Sequence, residues 1–153
     1  MEQRYEGVFI FVEQVDGKIA GVSYELIGKG KGLARERNTQ VTAVLLGANV
    51  RPLSQKLAAY GADRVIVVDD PALAVYMTEP YTRALAEVIR AYRPEMVLYG
   101  ATAIGRDMAP RVSARVHTGL TADCTGLAIQ AETNDLMMTR PAFGGNIMAT
   151  ILC

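Results

Sequence analysis

Tryptophan is absent from the 153-residue sequence, histidine occurs once and cysteine only twice. Cys124 and Cys153 stand without CxxC spacing or a His-rich neighbourhood, which argues against a disulfide framework, a thioredoxin-like pair and a zinc site. An excess of one charge is also missing: sixteen Lys and Arg balance sixteen Asp and Glu. No global field therefore favours nucleic acid or an anionic membrane. Apolar runs such as Val65-Ile66-Val67-Val68 fall far short of the roughly 18 residues of a membrane-spanning helix. The opening Met1-Glu2-Gln3-Arg4-Tyr5-Glu6 is acidic where a signal peptide needs positive charge and then an apolar stretch. A cytoplasmic location is the resulting expectation.

What is present is half hydrophobic and 21% charged, the balance of one globular domain. Four short runs rich in Val, Ile and Leu, at 8–12, 41–46, 65–68 and 96–99, have the consecutive apolar pattern of strands buried on both faces. Between the first two, Val22, Leu26, Ile27, Leu33 and Ala34 share one side of a 3.6-residue period. Leu53, Leu57 and Ala58 predict a shorter helix stopped at Gly61. Tyr81, Leu85, Val88, Ile89 and Tyr92 predict a third, ended before Pro94. A fourth is expected over 106–117 with Pro110 early in it.

This alternation predicts an α/β domain, a three-layer parallel sheet with helices on both faces. Beyond Gly119 the pattern becomes short strands at 125–131, 136–140 and 147–152, an expected strand or hairpin extension of that sheet. Val15-Asp16-Gly17-Lys18-Ile19 reads as a tight turn, a small early hairpin.

Several segments could carry chemistry. Gly28-Lys29-Gly30-Lys31-Gly32 has the residues of a phosphate loop but lies within a helical period, so it reads as a glycine-weakened, solvated helix face. The segment 100–107 follows a strand and opens a helix, where an anion is favoured, yet it lacks both the P-loop ending and the G-x-G-x-x-G order. It is a nucleotide site, a structural turn or a protein-contact surface. Asp69-Asp70, before Pro71, reads as a strand-ending turn ahead of a magnesium or ribose site. His117, Asp123 and Cys124 form a nucleophilic set only if the fold brings them together; otherwise His117 caps or is solvated and the thiol is a small buried apolar group. Arg106, Arg111 and Arg115 are read as lying on nearly one side of the fourth helix, a solvated face or an interface. Met137-Met138 is the methionine pair that could face a partner.

Two long strings go further. Gly105-Arg106-Asp107-Met108-Ala109-Pro110-Arg111-Val112-Ser113-Ala114-Arg115, followed by Thr118-Gly119-Leu120-Thr121-Ala122-Asp123-Cys124-Thr125, is one. The other is Thr139-Arg140-Pro141-Ala142-Phe143-Gly144-Gly145-Asn146-Ile147-Met148-Ala149-Thr150. Together with Gly7-Val8-Phe9-Ile10-Phe11-Val12-Glu13 and Ser23-Tyr24-Glu25-Leu26-Ile27-Gly28-Lys29, they make the chain resemble the α subunit of electron transfer flavoproteins, specifically its N-terminal domain.

The resemblance implies an adenine nucleotide α-hydrolase-like, Rossmann-type fold for residues 1–153. It also implies an FAD held in a second, C-terminal domain that this chain lacks, so a domain fragment is expected, with no cofactor bound to it alone and no catalysis of its own. By the same resemblance the complete subunit pairs with a β subunit, and the heterodimer carries electrons through FAD from acyl-CoA or other dehydrogenases to an acceptor such as a quinone oxidoreductase. Some members hold a second FAD in the β subunit and bifurcate electrons from NADH, and Phe9-Ile10-Phe11-Val12-Glu13 with Leu26-Ile27-Gly28-Lys29 fits that branch. There Arg140, fixed before Pro141, would direct its guanidinium at the partner's flavin and favour the anionic reduced form; the alternative is a structural pairing with Asp123 or Asp135. Arg106, Arg111, Arg115, Phe143 and Asn146 are the expected partner-interface residues. A stand-alone nucleotide-binding domain resembling universal stress proteins is the competing reading. The isolated fragment is expected to self-associate through the apolar surface its partners would cover.

Overall fold

Val8–Val12 forms strand β1, and all five of its consecutive apolar residues are buried. Alternate side chains of a strand point to opposite faces, so such a run needs an apolar layer on each side. The computed structural model, which describes residues 4–142 and 147–152, supplies both layers. β1 is followed by a hairpin of β2 (Gln14–Val15) and β3 (Lys18–Ile19), and then by α1 (Gly21–Glu36), β4 (Val41–Gly47), α2 (Ser54–Ala59) and β5 (Arg64–Asp69). α3 (Thr78–Tyr92), β6 (Met96–Leu98) and α4 (Ala103–Arg115) complete the alternating part. Three antiparallel strands follow: β7 (Gly126–Ile129), β8 (Leu136–Ala142) and β9 (Ile147–Leu152).

The main sheet has the order β5-β4-β1-β6 with every pair parallel. Val8, Ile10 and Val12 pack with Ile27 and Leu33 of α1 and Leu57 of α2. Phe9 and Phe11 pack on the other face with Leu85 and Val88 of α3 and Met108 and Val112 of α4. A three-layer α/β arrangement results, with β1 and β4 buried throughout. β5 is only half-buried, against the expectation for its apolar run, because it is an edge strand. Asp16 and Gly17 both take positive φ, +51° and +75°, the geometry of a two-residue hairpin turn, and bring β2 and β3 into antiparallel register as expected.

Four local readings change. The C-terminal strands do not extend the parallel sheet; they form their own sheet in the order β7-β8-β9. Their face is what docks: Leu127, Ile129 and Leu136 join the apolar cluster beside α1. Arg37 fastens the same region by ion-pairing with Glu95 and donating to the Asn134 carbonyl at 3.0 Å. α4 begins at Ala103 rather than 106, because the Thr102 side chain accepts a hydrogen bond from the Gly105 N–H and caps the helix. Pro110 consequently sits in the helix interior, on its exposed side. Gly30 is not on the solvated face of α1 but is buried over the sheet, where an added Cβ would lie 3.0 Å from Ile10 Cδ1. No helix among the described residues is long and apolar enough to cross a membrane.

Two glycines separate packing from propensity. A Cβ on Gly105 would lie 1.9 Å from the Gly100 carbonyl oxygen, whereas one on Gly28 would meet nothing within 4 Å. Gly105→Ala should therefore cost about 1–3 kcal/mol or abolish folding, while Gly28→Ala should stabilise by about 0.5–1 kcal/mol, both read from denaturant midpoints. Asp69 gives a pH-dependent counterpart. Its carboxylate accepts from the backbone N–H groups of Asn49, Val50 and Arg51 at 2.7, 3.0 and 3.1 Å, and the Asn49 and Arg51 bonds hold its pKa below the ordinary value. A depressed folded-state pKa contributes stability above the unfolded value and loses it as pH falls through the folded one. Asp69→Asn should thus lower Tm at neutral pH, with a deficit that shrinks below about pH 4.

Candidate functional site

In parallel α/β sheets, ligands sit beyond the carboxyl ends of the strands where the strand order reverses. Here that point lies between β1 and β6, since β4 flanks β1 on its other side. The crevice is held by the chain's own groups. Glu13, immediately after β1, accepts a hydrogen bond at 2.6 Å from the hydroxyl of Thr102, the N-cap of α4. Ser23 fixes the Glu13 backbone, accepting from its N–H at 2.8 Å and donating to its carbonyl at 3.3 Å. A carboxylate thereby occupies the helix N-terminus that would otherwise attract a phosphate. The close approach of Gly105 to Gly100 leaves the 100–107 segment folded on itself. Gly100, Ala101, Gly105 and Arg106 of that segment line an open groove.

Asp107, in the second turn of α4, accepts from the Tyr76 hydroxyl at 2.6 Å and from Thr78 Oγ1 at 2.5 Å. The Thr78 bond and then the Tyr76 bond lower its pKa. Burial, followed by the Asp107 bond, pushes the Tyr76 phenol up to about 12. These contacts pin the loop before α3 onto α4. Asp69 and Asp70 end their strand in a turn as expected: Asp69 binds three backbone N–H groups, and Asp70 Oδ1 accepts from the Ala72 N–H at 2.8 Å. Among the described residues no group of three or more His, Cys, Asp or Glu is placed to hold a metal.

The arginines of α4 do not share a side. A helix turns about 100° per residue, so nine positions carry Arg115 about 180° from Arg106. Arg106 pairs with Asp123 at 3.0 Å in the loop after the helix, whereas Arg115 pairs with Glu79 of α3 at 2.7 Å. Arg111 is exposed, and its charge lowers the pKa of Asp107. The nucleophilic set is not assembled. Asp123 is engaged by Arg106, His117 is exposed at φ +56° at the end of α4, and Cys124 Sγ donates to the Thr121 carbonyl at 3.6 Å. Burial raises the Cys124 pKa, the opposite of what a reactive thiolate needs.

Arg140 lies in β8, half-buried, on the face that carries Leu136 and Met138. Its charge is near enough to Cys124 to oppose the rise in that thiol's pKa. Neither Asp123 nor Asp135 pairs with it, and no ion pair to Arg140 occurs among the described residues. Phe143 and Asn146 lie outside the described residues. Sequence reasoning missed Glu13, Tyr76 and Thr102; a threonine just before the helical segment was the available cap signal for Thr102. It also missed an open groove of about 1230 Å³ beside β6, walled by α1, α4 and the antiparallel sheet, which depends on tertiary placement.

The electron transfer flavoprotein domain, as a family, matches residues 8–153. The chain is 53% identical over 149 residues to the electron transfer flavoprotein subunit alpha of Thermoanaerobacterium thermosaccharolyticum, covering 97% of this chain and 45% of the relative. It is 49% identical over 149 residues to the protein of the same name from Clostridium acetobutylicum, covering 97% and 44%. Subunit LctC of the lactate dehydrogenase (NAD(+),ferredoxin) of Acetobacterium woodii is 46% identical over 148 residues, covering 97% and 35%. The chain thus spans less than half the length of these curated relatives. With its domain matched almost end to end and its identity to the alpha subunits near one half, the chain belongs to the electron transfer flavoprotein family.

Proposed function

We propose that the chain acts as the N-terminal scaffold and β-subunit-interaction domain of an electron transfer flavoprotein α subunit, without catalysis of its own. The observation that carries this reading is the match of residues 8–153 to the electron transfer flavoprotein domain, and the hydrogen bond between Thr102 and Glu13 at the switch point supports it. The strand order β5-β4-β1-β6 supports a Rossmann-type layout of the adenine nucleotide α-hydrolase kind. The Glu13 carboxylate beside the α4 N-terminus counts against the universal-stress-protein reading. FAD then belongs to the complete heterodimer and the longer part of the relatives, with the electron chemistry supplied by the flavin when bound. The names of the relatives support an electron carrier serving a dehydrogenase, and the NAD(+),ferredoxin relative supports the bifurcating branch. Acyl-CoA or other dehydrogenases and a quinone oxidoreductase are the partners reached through the complex.

In this reading Arg106, Arg111, Arg115, Phe143 and Asn146 belong to the partner interface, and Arg140 faces the partner subunit's flavin.

Purified with excess FAD, the chain alone should stay colourless, and mixed with a cognate β subunit it should form a discrete complex by native mass; a stoichiometric yellow chain would reject the reading. In the complete heterodimer, Arg140→Ala should shift the reduction potential and visible spectrum of the β-subunit flavin while leaving assembly intact. Unchanged potentials would remove Arg140 from that role.

A further inference from the structure

The antiparallel sheet meets the parallel domain through contacts of two kinds. Leu127, Ile129 and Leu136 supply the apolar kind, against α1. Burial of that sort is non-directional, so it holds the two sheets together without fixing the angle between them. Hydrogen bonds from a planar guanidinium hold only near their preferred directions and do fix an angle.

Arg37 and Arg106 both reach the antiparallel region, and their links differ. Arg106 meets Asp123 in the loop ahead of β7, where the two side chains are 65% and 49% exposed, so water and salt weaken the pair. Arg37, at the C-cap of α1, pairs with Glu95 just ahead of β6, and each side chain is only 23% exposed. Among the described residues this is the least exposed ion pair. The other arm of its fork, Nη1, donates to the Asn134 carbonyl at 3.0 Å.

The turn between β7 and β8 is shaped to receive that arm. Asn134 takes a positive φ of +62°, and its N–H donates to the Gln130 carbonyl at 2.8 Å. The Gln130 N–H donates to the Asp135 carbonyl at 2.9 Å, and the Thr133 hydroxyl donates to Gln130 Oε1 at 2.9 Å. These bonds close the turn on itself and leave the Asn134 carbonyl to Arg37. One guanidinium thereby joins the end of α1, the start of β6 and the turn that leads into β8.

We propose that Arg37 is a positioning residue: it sets the angle of the antiparallel sheet to the parallel one, and so the place where Arg140 stands. Its consequence for electron transfer rests on the reading above, in which Arg140 faces the partner subunit's flavin. From Asn134 to Arg140 the extended chain reaches about 20 Å, so a rotation of about 5° at the turn carries the Arg140 guanidinium about 2 Å. A shift of that size breaks an aligned hydrogen bond.

The first test compares Arg37→Ala with Lys31→Ala in the isotope-labelled chain, by amide residual dipolar couplings and hydrogen exchange. Lys31→Ala removes another α1 ion pair, to Asp63, with side chains 30% and 32% exposed, that does not involve the antiparallel sheet. In Arg37→Ala the couplings of β7 and β8 should cease to fit the orientation that fits β1 and β4, and the Asn134 amide should exchange at least about tenfold faster. Lys31→Ala should change neither. Unchanged couplings in Arg37→Ala, or the same change in both variants, would overturn the proposal. In the complete heterodimer, Arg37→Ala should shift the β-subunit flavin potential in the same sense as Arg140→Ala, and the double variant should match Arg140→Ala alone. No shift from Arg37→Ala where Arg140→Ala gives one, or additive shifts, would reject the action of Arg37 through Arg140. A flavin indifferent to Arg140→Ala rejects the reading of Arg140 instead, and the couplings still decide whether Arg37 orients the sheet.

Discussion

Burial of β1 on both faces is the constraint from which the rest of the domain follows. Its five apolar residues divide by alternation into two sets, and each set needs its own helical layer. Pairing with β4 and β6 satisfies its backbone from both sides. Once β1 is central, its carboxyl end becomes the switch point of the sheet. Glu13 is then delivered there by chain connectivity, one residue beyond the strand.

That placement shapes the functional reading. A helix N-terminus at a switch point favours negative charge, and the chain meets that preference internally, through a carboxylate hydrogen-bonded to the capping threonine. The neighbouring Asp107 is likewise consumed by Tyr76 and Thr78. In this three-layer α/β fold these polar groups hold loops and helices together. What remains outward-facing is the groove beside β6, the exposed Arg111 and the antiparallel sheet. These are surfaces suited to polypeptide contact.

The four parallel strands and the helices between them were legible because each depends on local periodicity and on stops such as Gly61 and Pro94. The antiparallel sheet was legible as strands but not as a separate layer. Its placement is decided by Leu127, Ile129 and Leu136 meeting α1, a contact between segments about a hundred residues apart. The start of α4 was misjudged because Thr102 caps through a hydroxyl whose partner is fixed only in the folded turn. Spacings of five and four suggest one side of α4 for Arg106, Arg111 and Arg115, whereas the rotation accumulated over both steps sends Arg106 and Arg115 to opposite neighbours. For the candidate site, the long strings identified the family, but the contact of Glu13 with Thr102 required side-chain geometry.

The functional reading depends on Glu13, held by the Thr102 hydroxyl, taking the place of an anion at the α4 N-terminus. Titration of the isotope-labelled chain with AMP and ATP, followed at the backbone amides of Thr102 and Gly105, tests it most directly. The account predicts no saturable change at either amide up to millimolar nucleotide. Saturable shifts centred on those two amides would contradict it and make this a nucleotide-binding domain.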